Sequence, residues 1–155
     1  MEKLSRSVSQ TLKIGKLIAH KLCGGEIILL SGSLGAGKTV LAKGIAQGLG
    51  IGKDKVISPS FVLLRIHRGR HSLYHFDFYR LKTPQDILSL GFEEYFYSDG
   101  ITIIEWPERL KFLLPKEFLK IKLSTKEKNQ RCLKFIAKGF RYKRLLGKIY
   151  ENIRN

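Results

Sequence analysis

The fold is decided by one short stretch, Gly32-Ser33-Leu34-Gly35-Ala36-Gly37-Lys38-Thr39. It matches the pattern Gly-x4-Gly-Lys-Thr of a phosphate-binding loop (P-loop) at every fixed position. The run 26–31 before it is apolar at its centre, as in a buried strand, and residues 40–49 after it carry apolar side chains at helical spacing. Because strand, loop and helix follow in this order, the sequence predicts a P-loop rather than an ordinary glycine-rich turn.

A P-loop binds a phosphate chain mainly with its backbone. Glycines let the chain bend closely around the anion, and successive N–H groups together with the helix amino terminus face it. At the end of this loop, Lys38 would contact the β- and γ-phosphates, and the hydroxyl of Thr39 would bind Mg²⁺. The sequence therefore predicts a nucleotide site where the strand 26–31 ends.

Bulk properties indicate one domain that spans residues 1–155. Hydrophobic residues make up 43% of the chain and charged residues 27%, which is ordinary for a globular protein. No apolar run is long enough to cross a membrane, and residues 1–7 lack the apolar core of a secretory signal. Cys23 and Cys132 lack the paired spacing of a zinc site and are expected to be reduced thiols, so a cytoplasmic location is favoured.

The charge of the chain is large and uneven. The formal net charge is +16; residues 1–110 carry 15 Lys and Arg against 10 Asp and Glu, whereas residues 111–155 carry 14 against 3. Such a basic segment can contact nucleic acid, or it can be a solvated lysine-rich face. Charge alone leaves both explanations open.

The remaining pattern predicts an α/β fold. A helix over residues 11–22, with Ser9 or Thr11 as its cap, precedes the P-loop unit. Further strands are predicted at 56–58, 61–67, 72–76, 101–105, 119–123 and 132–136, and helices at 83–96 with a break near Gly91, at 107–112 and at 141–153. Strands interleaved with helices indicate a mostly parallel sheet with one antiparallel hairpin and helices on both faces.

Two carboxylates are candidates for the second half of the site. Glu105 ends the strand 101–105, at the sheet edge where α/β folds bind ligands, and this strand resembles a Walker B strand with Glu in place of Asp. Alternation places His75, Asp77 and Tyr79 on one face of the preceding strand. Each acid could instead be a surface or turn-capping residue. Trp106 next to Glu105 is either a core residue or part of a nucleotide or partner surface.

Four segments together resemble the TsaE (YjeE) family: residues 32–39, Ser58-Pro59-Ser60-Phe61, residues 75–81 and Glu105-Trp106-Pro107-Glu108. The similarity runs from about residue 11 to 110 and continues more weakly to about residue 139. It implies a single-domain P-loop NTPase fold with bound ATP or ADP and Mg²⁺. It also implies slow ATP hydrolysis that depends on partners of the TsaB and TsaD type, which attach a threonylcarbamoyl group to the adenosine next to the anticodon of tRNA. The ATPase is not itself the transferase.

The resemblance also implies roles for individual residues. Lys38, Asp77 and Glu105 would be catalytic, and Thr39 and Glu105 would bind the metal ion. The residues expected to bind the nucleotide are Thr11, Gly35, Ala36, Gly37, Lys38, Thr39, Val40 and Arg131. Residues 58–61 match a switch-like segment that would sense the γ-phosphate. Ser33 stands where the family usually has Asp and Ser60 where it has Thr, and the missing acid bears on hydrolysis more than on binding.

Two other functions fit parts of the sequence. A small-molecule or nucleoside kinase uses the same loop, and Arg65, Arg68 and Arg70 could form its lid, although a basic hairpin tip is the simpler explanation. A nucleotide-gated RNA-binding module would contact tRNA through residues 111–155. The sequence also leaves open whether Asp77 or Glu105 positions the attacking water.

Overall fold

The strand that precedes the P-loop is buried along its whole length and lies in the middle of a sheet. The computed structural model describes residues 1–52, 55 and 63–154. The strands are β1 (Glu2–Ser5), β2 (Ile27–Ser31), β3 (Leu64–Arg68), β4 (Ser72–Asp77), β5 (Ile101–Glu105), β6 (Phe118–Thr125) and β7 (Arg131–Lys138). The helices are α1 (Val8–Ala19), α2 (Lys38–Gly48), α3 (Pro84–Leu88), α4 (Glu93–Phe96) and α5 (Phe140–Ile153), with a 3-10 helix at Pro107–Leu113.

The seven strands form one sheet in the order β1-β7-β6-β2-β5-β4-β3. The four central strands β6, β2, β5 and β4 are parallel, whereas β1, β7 and β3 pair antiparallel with their neighbours. The predicted α/β class and the hairpin of β3 and β4 are confirmed. The parallel strands all end at one edge of the sheet, which is where such folds place ligands.

Side chains of β2 point alternately to two apolar layers. Ile28 and Leu30 pack with residues of α1, α2 and α5, and Ile27 and Leu29 pack with aromatic residues of β4 and α4 on the other face. Helices therefore cover both faces, as predicted. Because both faces are covered, β2 and β5 are buried at every position and are mostly apolar rather than alternating.

The beginning of the chain differs from the prediction. The helix starts at Val8 and not near residue 11, because the side chain of Ser7 accepts a hydrogen bond from the N–H of Gln10 and caps it. Thr11 consequently lies inside α1, so the proposals that it precedes or caps the helix, and that Ser9 caps it, are wrong. The sequence also did not indicate β1, which pairs with β7 at the sheet edge.

Other elements agree with the prediction where the structure describes them. The segment 83–96 forms two short helices, α3 and α4, which are separated around Gly91 as predicted. β5 covers the predicted residues 101–105. The predicted strand 56–58 lies outside the described residues, and of the predicted strand 61–67 only the part from Leu64 is seen as β3. Within the described residues, no helix is long and apolar enough to span a membrane.

Candidate functional site

The P-loop connects β2 to α2 in a conformation that requires glycine. Gly32 has φ +143°, and a Cβ there would overlap the carbonyl oxygen of Leu123 in β6. Gly35 has φ +79° with open space around the Cβ position, so its backbone conformation and not its packing favours glycine. Gly37 is the N-cap of α2 and provides no side-chain cap, so the first N–H groups of α2 can receive an anion.

Lys38 is held inside the loop that precedes it. Its Nζ donates hydrogen bonds to the carbonyl oxygens of Gly32 (2.6 Å) and Ser33 (2.9 Å) and lies 4.4 Å from the ring centroid of Trp106. Burial lowers the pKa of the Lys38 ammonium below its ordinary value of 10.5, whereas nearby carboxylates, led by Glu105, act to raise it. Lys38 is thus a cation that is largely shielded from water, so its attraction for a phosphate is strong.

Glu105 is the centre of a buried polar cluster at the end of β5. Its Oε1 accepts a hydrogen bond from the hydroxyl of Thr39 at 3.1 Å, and its Oε2 lies 2.7 Å from Nε2 of His75. Glu105 is 2% exposed and His75 is fully buried. The Nδ1 atom of His75 has no hydrogen-bond partner among the described residues, so the proton is assigned to Nε2, which donates it to the carboxylate.

Alternation along the strand predicted that His75 shares a face with Asp77 but indicated no role for it. The missing information was the register of the sheet: β4 and β5 are parallel, with Asp77 opposite Glu105 and His75 opposite Ile103. This register brings the three polar side chains of the two strand ends to one place. In the sequence, this arrangement was indicated by polar residues at alternate positions in His75-Phe76-Asp77, together with a second strand that ends in Glu105.

A cleft of about 280 Å³ opens beside this cluster. Asp77 lines it and is nearly buried, and its Oδ1 accepts a hydrogen bond from the N–H of Tyr79 at 2.9 Å. The Tyr79 and Trp106 rings lie 4.9 Å apart on the cleft wall, and Trp106 has the left-handed backbone angles φ 59° and ψ 51°. The other residues that line the cleft are Leu34, Gly35, Gly37, Lys38, Thr39, Val40 and Glu105.

A smaller cavity of about 90 Å³ lies on the other side of the same loop. Thr11 and Arg131 line it together with Gly35, Gly37 and Val40. The structure thus brings Thr11 and Arg131, two of the residues expected to bind the nucleotide, next to the P-loop. The hydroxyl of Thr11 lies 2.7 Å from the hydroxyl of Ser5 and so is already engaged within the protein.

One of the predicted nucleotide-binding residues, Ala36, needs a different description. The N–H of Ala36 donates a hydrogen bond to the carbonyl oxygen of Ser33 at 3.1 Å, and its side chain is buried in the core. Ala36 therefore stabilises the conformation of the P-loop from its core side. The switch-like segment 58–61 lies outside the described residues.

The donor set at the cleft fits Mg²⁺. Thr39 and Glu105 provide adjacent hard oxygen atoms, 3.1 Å apart. Within the described residues, no group of three or more His, Cys, Asp or Glu side chains could form a metal site of its own. Mg²⁺ characteristically takes one or two protein oxygens and completes its shell with phosphate oxygens and water, so this sparse set suits a metal that arrives with a nucleotide.

Comparisons with known proteins agree with the geometry. The family model described as Threonylcarbamoyl adenosine biosynthesis protein TsaE matches residues 5–133. The tRNA threonylcarbamoyladenosine biosynthesis protein TsaE of Treponema pallidum (strain Nichols) is 41% identical over 123 residues, 79% of this chain and 90% of that protein. The protein of the same name from Bacillus subtilis (strain 168) is 37% identical over 149 residues, 94% of this chain and 92% of that protein.

A solved structure supports the same assignment. The crystal structure of Bacillus subtilis YdiB superposes with a TM-score of 0.85 at 32% identity, covering 97% of this chain and 94% of that chain. The resemblance inferred from four short segments is thereby confirmed over most of the chain. The chain belongs to the TsaE family of tRNA threonylcarbamoyladenosine biosynthesis proteins.

Proposed function

We propose that this chain binds ATP with Mg²⁺ at the cleft and hydrolyses it slowly, in support of a TsaB–TsaD type complex that threonylcarbamoylates the adenosine next to the anticodon of tRNA. One observation carries the proposal: Lys38, Thr39, Asp77 and Glu105, from three separate segments, line a single cleft at the carboxyl ends of parallel strands. That combination of cation, hydroxyl and two acids is the set that phosphoryl transfer uses.

Binding is assigned to the loop and to Lys38. The N–H groups at the start of α2 and the Lys38 ammonium would neutralise the phosphate chain. Because Lys38 already bonds two carbonyl oxygens of the loop, it is held within the loop that surrounds the phosphates. Mg²⁺, held by Thr39 and Glu105, would supply positive charge to the phosphate oxygens.

The two acids are assigned different roles. Both oxygens of Glu105 have partners, with Thr39 on one side and His75 on the other, and this fixed orientation suits a metal ligand. Asp77 ends the neighbouring strand and also lines the cleft. We therefore assign the orientation of the attacking water to Asp77 and the metal ion to Glu105.

Dependence on a partner follows from what lines the cleft. Among the described residues, no arginine lines it. P-loop enzymes without an internal arginine finger hydrolyse slowly until a partner supplies a group that stabilises the transition state. A partner complex is therefore expected to accelerate hydrolysis by this chain.

The kinase alternative has little support from the arginines that suggested it. The turn between β3 and β4 lies at the amino end of β4, opposite the edge where the P-loop is. Arg70 in this turn donates hydrogen bonds to the carbonyl oxygens of Ala19 and Leu22 instead of pointing to the cleft. Arg68 and Arg70 therefore belong to a basic hairpin tip and not to a lid, whereas Arg65 lies within β3 opposite His75, away from the turn.

The test is steady-state ATP hydrolysis with and without the cognate TsaB–TsaD complex, with tRNA modification measured in the same reactions by mass spectrometry. We expect slow hydrolysis alone and at least tenfold acceleration by the complex, from the magnitude of partner-supplied stabilisation. Lys43→Ala, on the same helix but outside the cleft, is the matched control for variants of Lys38. Hydrolysis unaffected by the complex, together with no nucleotide-dependent association, would overturn the proposal.

A further inference from the structure

A second polar region lies at the end of the sheet opposite the nucleotide cleft. β7 starts at Arg131 beside the P-loop and runs antiparallel to β6, so α5, which begins directly after β7, starts at the far edge. At roughly 3.3 Å per residue, β7 separates the two regions by about 26 Å. The segment before β2, which includes Lys21 and Glu26, reaches the same far edge.

A cavity of about 270 Å³ at this edge is strongly basic. Its lining includes four cations and one carboxylate, Glu26. We call the four cations and the neighbouring aromatic residue the basic end surface; its members are Lys21, Phe140, Arg141, Arg144 and Lys148. Arg141, Arg144 and Lys148 recur at helical spacing and are exposed along one face of α5.

The carboxylate does not cancel this charge. Glu26 is buried, and its two oxygens accept hydrogen bonds from the N–H groups of Cys23 (3.0 Å) and Gly24 (2.8 Å). Arg141 donates to Glu26 at 3.1 Å and to the carbonyl oxygen of Gly24 at 2.6 Å, while its side chain remains 51% exposed. Glu26 therefore holds one arginine in place, and the other cations face solvent.

Phe140 gives the surface an aromatic contact. It is 74% exposed, with the Arg144 guanidinium 5.9 Å from its ring centroid. An exposed aromatic ring beside arginine is how many RNA-binding proteins stack an unpaired base. The apolar side of α5, with Tyr142, Leu145 and Ile149, is buried against the sheet, so α5 has no apolar face to insert into a membrane surface.

We propose that the basic end surface binds structured RNA, with its cations on phosphates and Phe140 stacked on an unpaired base. Charge complementarity and the exposed ring carry this assignment. It goes beyond the proposed ATPase activity and does not depend on it, and tRNA is the RNA to test because the chain belongs to a tRNA-modification family.

The first experiment measures the affinity of the whole chain for an unmodified tRNA transcript by fluorescence anisotropy over a series of KCl concentrations. If all four cations contact phosphates, log K should fall with log[salt] with a slope of about −3 to −4. The variant Arg144→Glu/Lys148→Glu should lose about half of that slope and bind at least tenfold more weakly near 0.1 M salt. The control Lys13→Glu/Lys82→Glu changes two exposed lysines elsewhere and alters net charge equally, and it should bind within twofold of the parent chain.

The second experiment tests the ring. Phe140→Ala should weaken tRNA binding roughly fivefold or more and leave the salt slope unchanged, because stacking is not a counterion effect. Phe112→Ala removes an equally exposed phenylalanine, 72% against 74%, and should change nothing.

Three results would overturn the proposal. The first is no tRNA binding by the parent chain, and the second is equal weakening of tRNA binding by the two charge-reversal pairs. The third is that Arg144→Glu/Lys148→Glu loses association with TsaB–TsaD while its tRNA binding stays intact. The second result would mean that overall charge alone matters, and the third would make the surface a protein interface. ATP binding by the same samples is measured in parallel. Its absence would count against the proposed ATPase and leave the RNA assignment standing.

Discussion

The two edges of the sheet are built on opposite principles. At the carboxyl ends of the parallel strands, the polar side chains are buried and hydrogen-bonded within the protein, with Lys38, Asp77 and Glu105 each at most 5% exposed. At the amino ends, the basic end surface is open, and α5 presents its cations to solvent. The first edge can position a small anion, and the second can attract a large one.

This difference determines how each edge should respond to mutation. Removing one member of a buried polar cluster leaves its partner unsatisfied, which costs about 1–3 kcal/mol, whereas substitutions of exposed charged residues usually stay within about 0.5 kcal/mol. Variants at the cleft should therefore affect stability as well as chemistry. Variants of the basic end surface should affect binding alone.

The largest expected effect is that of Lys38→Ala on nucleotide binding. Loss of a charge-assisted contact should weaken binding of Mg-ATP by about 10- to 100-fold in calorimetry and abolish support of tRNA modification. Binding of tRNA by this variant should stay unchanged, and Arg144→Glu/Lys148→Glu should show the reverse pattern. Wild-type levels of tRNA modification with Lys38→Ala would contradict the role given to the cleft. Loss of both Mg-ATP binding and tRNA binding in either variant would contradict the separation of functions between the two edges.

A smaller effect is expected for His75→Ala. The substitution leaves Oε2 of the buried Glu105 without the N–H of His75, whose Nε2 lies 2.7 Å away, so the free energy of unfolding in urea should fall by about 1–3 kcal/mol. Arg144→Ala at the exposed edge should change it by less than about 0.5 kcal/mol.

A double variant separates the His75–Glu105 contact from general damage to the core. If the contact is real, the effects of His75→Ala and Glu105→Ala should be non-additive, because each already removes the same bond. Additive losses would show that His75 is merely a packing residue.

The pH dependence of nucleotide binding tests whether Lys38 is shielded from water. Because burial lowers its pKa, the free protein should lose this proton, and with it affinity for Mg-ATP, as pH rises through values below 10.5. Affinity should fall by up to about tenfold per pH unit beyond the lowered pKa. Lys38→Arg keeps its charge and should bind without this alkaline decline.

The same shift has the opposite sign for folding. Between the lowered pKa and 10.5, the unfolded chain binds more protons at this site than the folded chain, so the contribution of Lys38 to stability rises with pH. Alkaline loss of affinity should therefore occur without unfolding. Near-UV circular dichroism of the single tryptophan, Trp106, would detect unfolding if it occurred.

Local patterns made the P-loop edge of the sheet predictable. The P-loop and β5 are each specified by a short continuous stretch, and the position of Glu105 follows because that stretch ends at the carboxylate. The family resemblance then added Thr11 and Arg131, which the fold places around the same loop. Their roles, like those of Asp77 and the metal ligands, stay predictions.

Three features that the sequence did not indicate depend on distant pairing. β1 is a charged tetrapeptide that forms a strand because β7, far along the chain, offers an edge to pair with. The His75–Glu105 bond needs the register of two parallel strands. The basic end surface combines Lys21 with residues of α5. The charge excess of residues 111–155 does not indicate which of its cations lie close together.

The smallest expected effect comes from two glycines, one near each edge. A Cβ would meet nothing within 4 Å at Gly35 in the P-loop or at Gly147 in α5, but only Gly35 has a positive φ, +79°. Gly35→Ala should therefore lower the free energy of unfolding by about 1 kcal/mol, since the left-handed conformation strains an L-residue. Gly147→Ala should raise it by about 0.5–1 kcal/mol, since alanine favours the helix interior. Urea unfolding without nucleotide measures both, and effects of the same sign would show that the loop conformation is not what selects glycine at position 35.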